Sequence, residues 1–216
     1  MKKFIVILLA TVIVMNCGGG GGGGSNPPTI EEQIVVNLTD GWIHFENARY
    51  DSAEYYFDLA LNLKNDHEES QAGKGWSLLM QDEADFAAIE TYLEKAQSDT
   101  SLLNDVLAAL GIVNNLQQEY GASINYIQQL LNRSPSYVFS HKTDVDYHDM
   151  MVLLAHSYFY NKQFNQAYEV ILDMTTTYIF DPDDVETWVV SGKKYPSYEG
   201  AISAVLSILS DQYKSF

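Results

Sequence analysis

The chain has 216 residues with 12 basic and 29 acidic side chains, a formal net charge of −17 at pH 7. That balance, with no basic stripe along the sequence, excludes nucleic acid as a partner and sets the body of the protein against an anionic lipid surface. A single cysteine excludes disulfides within the chain, while a 46% hydrophobic content that includes fifteen tyrosines suffices for a real core.

The amino terminus reads as an export signal. Residues 1–16 open with Met1, Lys2 and Lys3, and residues 4–15 form an apolar run in which Thr11 is the one polar side chain. As a helix this run rises about 18 Å, short of the ~30 Å hydrocarbon thickness, so it predicts a removable signal peptide and not a permanent span. The segment Val14-Met15-Asn16-Cys17 resembles the lipobox of bacterial lipoproteins, with Asn16 standing where that motif usually has Gly, Ala or Ser. The resemblance implies lipidation of Cys17; the alternative is an ordinary secretory signal cut near Ser25. Residues 17–29, with their run of glycines from Gly18 to Gly24, read as a flexible tether reaching roughly 20 Å on average. Gly18 is not the aspartate that retains some lipoproteins at the inner membrane, so the resemblance implies an outer-membrane anchor with the body in the periplasm. Membrane contact is then through the lipid anchor only.

From residue 30 to 172 apolar residues recur at helical spacing, and no proline falls between Pro28 and Pro135. The pattern repeats at about 34 residues. It is clearest in residues 104–137, where Leu107, Leu110, Gly111, Tyr120, Ser123, Ile127, Leu130 and Pro135 are in register. Residues 34–67 repeat it with Gly41, Tyr50, Ala53, Phe57 and Ala60. Residues 68–103 do so with Gly75, Phe86, Ile89, Leu93 and Ala96, and their extra length is assigned to the turn at residues 81–85. In residues 148–181 the set is Met151, Leu154, Ala155, Tyr158, Phe164, Ala167, Ile171 and Met174. An insertion at residues 138–147, carrying Phe139, Ser140, His141, Lys142 and Thr143, separates this unit from the first three, and loops of that size often carry function.

These positions resemble the consensus of the tetratricopeptide repeat (TPR) family, in which small residues let two antiparallel helices approach and large ones fill between them. The resemblance implies an all-α fold, a short right-handed α-solenoid of about four TPR-like helix pairs over residues 30–181. Residues 182–216 read as a loop and a C-terminal capping helix. In that helix Ile202, Val205, Leu206 and Leu209 are expected to close the stack, with Ser203, Ser207 and Ser210 towards water.

Chemistry is hard to find. The five histidines make no tight ligand spacing, so no metal is expected. Asp144, Asp146 and Asp149, and likewise Asp181, Asp183 and Asp184, lack the glycine and distal glutamate of a calcium loop and read as helix caps. Ser140 and His141 are adjacent in one loop without an orienting third group, and no phosphate-binding loop exists, so neither catalysis nor a cofactor is expected.

What remains is surface. By the resemblance, the concave face is lined by Trp42 and Phe45 of the first unit, Trp76 and Leu79 of the second, Ile112 and Asn115 of the third, and His156, Phe159 and Tyr160 of the fourth. Trp42 and Trp76 either line this groove or pack against the neighbouring repeat. The lysine and asparagine clamp that some family members use for a terminal carboxylate is not at these positions. Two functions fit: a membrane-anchored adaptor that holds a peptide or protein partner in the groove, and an aromatic platform that captures a glycan or peptidoglycan fragment.

Overall fold

The computed structural model describes residues 26–213. The expected signal peptide, lipidated Cys17 and glycine run lie outside the described residues.

Thr29 starts the first helix. Its hydroxyl accepts from the Glu32 amide at 3.2 Å and the Glu32 carboxylate accepts from the Thr29 amide at 2.7 Å, which closes two otherwise free helix-end donors. Four helix pairs follow: α1 (Ile30–Glu46) with α2 (Tyr50–Leu63), α3 (Glu68–Leu79) with α4 (Phe86–Ala96), α5 (Leu103–Leu116) with α6 (Tyr120–Arg133), and α7 (Tyr147–Tyr160) with α8 (Phe164–Met174). A ninth helix among the described residues, α9 (Tyr198–Gln212), closes the array, and a short hairpin of β1 (Val189–Val190) and β2 (Lys193–Lys194) precedes it. The fold is an all-α solenoid, as the repeat pattern implies.

The small residues of the repeat decide how closely the helices approach. A Cβ on Gly111 would lie 2.6 Å from Ile127 Cγ1 across the α5–α6 pair, and Ser123 is fully buried with its hydroxyl donating to the Gly111 carbonyl at 2.8 Å. In the first pair the ring of Phe57 takes the space left by two glycines, Gly41 on α1 and Gly73 on α3, where a Cβ would come to 2.7 and 2.4 Å. One side chain thus ties three helices together. Three pairs also turn alike: the middle residue of each connection, Ala48, Gln118 or Lys162, holds φ at 53°, 66° or 63°, the left-handed conformation that ends a helix. The α3–α4 pair departs from this and uses a longer turn, residues 80–85.

The helices form two layers. The first helices α1, α3, α5 and α7 neighbour one another in sequence along one wall, α9 continues that wall beyond α7, and the second helices back it. At the carboxyl end Ile202, Val205, Leu206 and Leu209 form the buried face of α9, covering the surface that the fourth pair would otherwise leave to water. The irregular segment before α9 is tied down by Tyr168, whose hydroxyl accepts from the Phe180 amide at 2.5 Å and whose ring stacks on Phe180.

Candidate interaction surface

The expected groove is present in part only, because the chain fills most of it. The insertion at residues 138–147 folds back against the wall of first helices as a small self-bonded loop. Val138 and Asp146 bridge, the Phe139 amide donates to the Val145 carbonyl at 2.9 Å, and the Tyr147 amide donates to the Tyr137 carbonyl at 2.8 Å. Phe139, fully buried, lies flat on Trp76 with ring centroids 4.2 Å apart and meets Trp42 and Phe45 edge-on. His141 stacks on Trp42 and bonds Glu46 through Nδ1 at 2.8 Å. The Tyr137 hydroxyl donates to Asp105 on α5 at 3.0 Å.

Five of the expected lining residues are therefore corrected. Trp42, Phe45, Trp76, Leu79 and Ile112 are all buried, with Trp76 at 0% exposure, and present no open surface. The physical reason is economy of apolar area: for the three aromatic residues, Phe139 and His141 lie on rings that would otherwise face water. Of the two readings for Trp42 and Trp76, packing is the one realised, and the packing partner is the inserted loop as well as the neighbouring repeat. Asn115 is half-buried and donates to Ser157 Oγ at 2.9 Å, which in turn meets Ser123, so it joins adjacent repeats internally.

The fourth pair is different. His156, Phe159 and Tyr160 stand on α7 where the inserted loop does not reach, and with Ser203, Leu206, Ser207 and Ser210 of α9 they line a cleft of about 260 Å³. His156 Nε2 and Ser210 Oγ, 2.7 Å apart, bridge the two walls. Burial holds the His156 imidazole below its ordinary pKa, so it is neutral at pH 7 and is able to donate from one nitrogen and accept at the other. Tyr160 is 49% exposed and stacks on Tyr120 at 5.3 Å, forming an aromatic ledge beside the cleft, while Phe159 is half-buried against Phe164. Exposed Leu116 lies at the end of α5, one turn before Tyr120.

Ser203 and Ser207 are exposed as expected and Ser210 is half-buried, and what the sequence reading lacked is the cleft they face. Their i, i+4, i+7 spacing was the available signal, since it makes one polar stripe, and the structure aims that stripe along α7. Three of the aspartates act as caps: Asp146 opens α7 in a capping box with Asp149, and Asp184 accepts from the Glu186 amide at 2.9 Å, while Asp144 pairs with Lys142 inside the loop and Asp181 accepts from the Asp183 amide. Among the described residues no group of three or more His, Cys, Asp or Glu side chains is placed to hold a metal ion, and no helix is long and apolar enough to cross a membrane.

No family model matches the chain, and no curated protein matches it. Among solved structures it is similar to the MamA RS-1 ArsTM double mutant, a TPR-containing protein, with a TM-score of 0.56 at 11% sequence identity over 87% of this chain and 100% of that one. At that identity the likeness is one of fold, and the fold that sequence pattern, geometry and comparison agree on is a TPR-like α-solenoid.

Proposed function

We propose that the protein is an envelope adaptor, anchored to a membrane through a lipid on Cys17, that holds a peptide or protein partner at the α7–α9 cleft. The observation that carries the reading is the contrast within one wall. Trp42, Trp76 and Phe45 are sealed under the chain's own loop, whereas Tyr160 is exposed, with half-buried Tyr120 and His156 beside it, at a cleft that mixes aromatic rings with serine hydroxyls. Anchored aromatic residues ringed by polar groups are what a protein-binding surface needs. The strongly acidic composition favours a cationic partner and keeps the body off anionic headgroups. The Val14-Met15-Asn16-Cys17 segment and the glycine run behind it support the anchor, and Gly18 supports the outer membrane with the body in the periplasm.

Two experiments test this. Metabolic labelling with radioactive palmitate should mark the wild-type chain and leave Cys17→Ala unmarked; equal labelling of both removes the anchor. Co-purification from cells should recover a discrete partner with wild type, and Tyr160→Ser combined with Ser207→Arg should lose it while far-UV circular dichroism is unchanged. Equal recovery with that variant removes the cleft from the account.

The second reading, capture of a glycan or peptidoglycan fragment, is favoured by one feature, the row of serine hydroxyls facing the Tyr160 and His156 rings across a space of monosaccharide size. Calorimetric titration with glycans separates the two readings. Tryptophan emission does not suit the purpose, because Trp42 and Trp76 are buried under the inserted loop and Trp188, bonded to the Asp181 carbonyl, does not line the cleft.

A further inference from the structure

We propose that the amino-terminal end of the solenoid is a docking face for an amphipathic helix of another protein, one that carries an aliphatic stripe and a lysine or arginine set to meet Asp40. The face lies at the opposite end of the array from α9. It goes beyond the α7–α9 cleft and does not depend on it.

The repeat register identifies the face. Val36 and Ile43 on α1 are 57% and 45% exposed. Counted from the small residues Gly41, Gly75, Gly111 and Ala155, the same two positions are Ser70 and Ser77 in α3, Val106 and Val113 in α5, and Met150 and Ser157 in α7. All six of these are fully buried. What buries them is the preceding pair. Ser157 Oγ meets Asn115 on α5 and Ser123 on α6, both at 2.9 Å, and the Phe57 ring of α2 fills the space beside Gly73 on α3. At the next position along, Asn114 of α5 donates to Glu90 on α4 at 2.9 Å, and Tyr158 of α7 accepts from Gln128 on α6 at 2.7 Å. Each later pair thus takes an earlier second helix against this face, whereas among the described residues no helix precedes α1. The glycine run from Gly18 to Gly24 has no side chains to cover it.

Charge states which helix fits. Between the two buried positions of α3 stands Lys74, which pairs with Asp58 at 2.5 Å and Glu54 at 3.7 Å on α2. The same position in α1 is Asp40, which forms none of the ion pairs among the described residues, and exposed Glu32 lies two turns before it on the same side of the helix. The polarity of the junction is inverted: α2 brings carboxylates to Lys74, so the docking helix brings a cation to Asp40. A cleft of about 240 Å³ lined by Pro28, Glu32, Gln33, Val36 and Asn37 has room for one aliphatic side chain at the start of the face. A second copy of this chain fits poorly. Asp40 lies midway between Val36 and Ile43, so two such faces about a twofold axis would set Asp40 against Asp40. The outward side of α9 carries Ser203 and Ser207, and Tyr198–Gln212 contains no lysine or arginine.

The test uses a fluorescein-labelled, helix-stapled peptide with the sequence of α6, residues 120–133, because α6 covers the corresponding face of α7. Gln128, which stands where Asp58 stands in α2, is changed to Lys in one peptide and to Glu in the other, and anisotropy is read against the full chain in detergent. The Gln128→Lys peptide should bind at least 10-fold more tightly than the Gln128→Glu peptide. Asp40→Lys in the chain should reverse that order, and Ile43→Asp should weaken the Gln128→Lys peptide at least 10-fold, with far-UV circular dichroism unchanged in both variants. If either variant misfolds, the order of the two peptides on wild type decides. No binding to wild type, equal binding of the two peptides, or an order that folded Asp40→Lys leaves unchanged overturns the proposal. A wild-type dimer in light scattering that Ile43→Asp makes monomeric also overturns it, because a second copy then holds the face.

Discussion

The imidazole of His141 lies flat on the indole of Trp42, centroids 3.8 Å and planes 4° apart, with Nδ1 against Glu46. Stacking of this kind contributes about 0.5–1.5 kcal/mol, and a half-exposed hydrogen bond adds less than about 1 kcal/mol. His141→Ala should loosen the loop selectively: exchange at the Phe139 amide rises roughly 5- to 10-fold while the global urea midpoint moves little. A matched fall in global stability, with no local change, would place the loop within the cooperative core.

Gly111 faces Ile127 across the third pair with no room for a methyl group. Gly111→Ala should therefore cost about 1–3 kcal/mol through overpacking, despite alanine's better helix propensity. Urea denaturation measures it. A neutral or stabilising result would mean that α5 and α6 separate freely.

Lys162 and Gln118 hold the left-handed conformation at helix ends where neither side chain is favoured. Lys162→Gly and Gln118→Gly should each stabilise the protein by up to about 1 kcal/mol, because the strain removed exceeds the added chain entropy. Loss of stability in both would contradict the turn geometry.

Burial holds His156 below its ordinary pKa of 6.5. On acidification the unfolded chain takes up the proton first, so stability from this site is complete above about pH 6.5 and is lost as pH falls through the lower folded-state value. His156→Gln should flatten that part of the stability profile between about pH 7 and pH 5. Parallel profiles for the two proteins would show that His156 is solvated.

Removing α9 uncovers the apolar faces of α7 and α8 that meet Ile202, Val205, Leu206 and Leu209. A chain stopped after Ser197 should associate or precipitate at concentrations where the full chain is monodisperse. Light scattering reads this, and an unchanged soluble monomer would contradict the capping role.

The helix pairs were legible because each rests on local rules. Gly111 with Ser123, and Gly41 with Phe57, encode close approach at fixed offsets within one unit. The closing function of α9 was legible too, since Ile202, Val205, Leu206 and Leu209 make a single stripe. The groove was not legible, because its state depends on a contact distant in sequence. Trp42 and Trp76 look like binding aromatics until Phe139 and His141 are placed on them, and no periodicity reports where an insertion docks. Phe139 was the clue available, an aromatic ring next to the polar run from Ser140 to Asp144 with a poor chance of remaining in water. His156 and Tyr160 line an open cleft because they lie beyond the reach of the loop.

Crosslinking in intact cells tests the central claim most directly. A photoreactive residue replaces Tyr160 at the cleft or, as the control, Lys95 on the opposite helix layer, and adducts are identified by mass spectrometry. The account predicts a discrete protein adduct from position 160 and none from position 95. No adduct at position 160, or the same adducts from both positions, would contradict a partner held at the α7–α9 cleft.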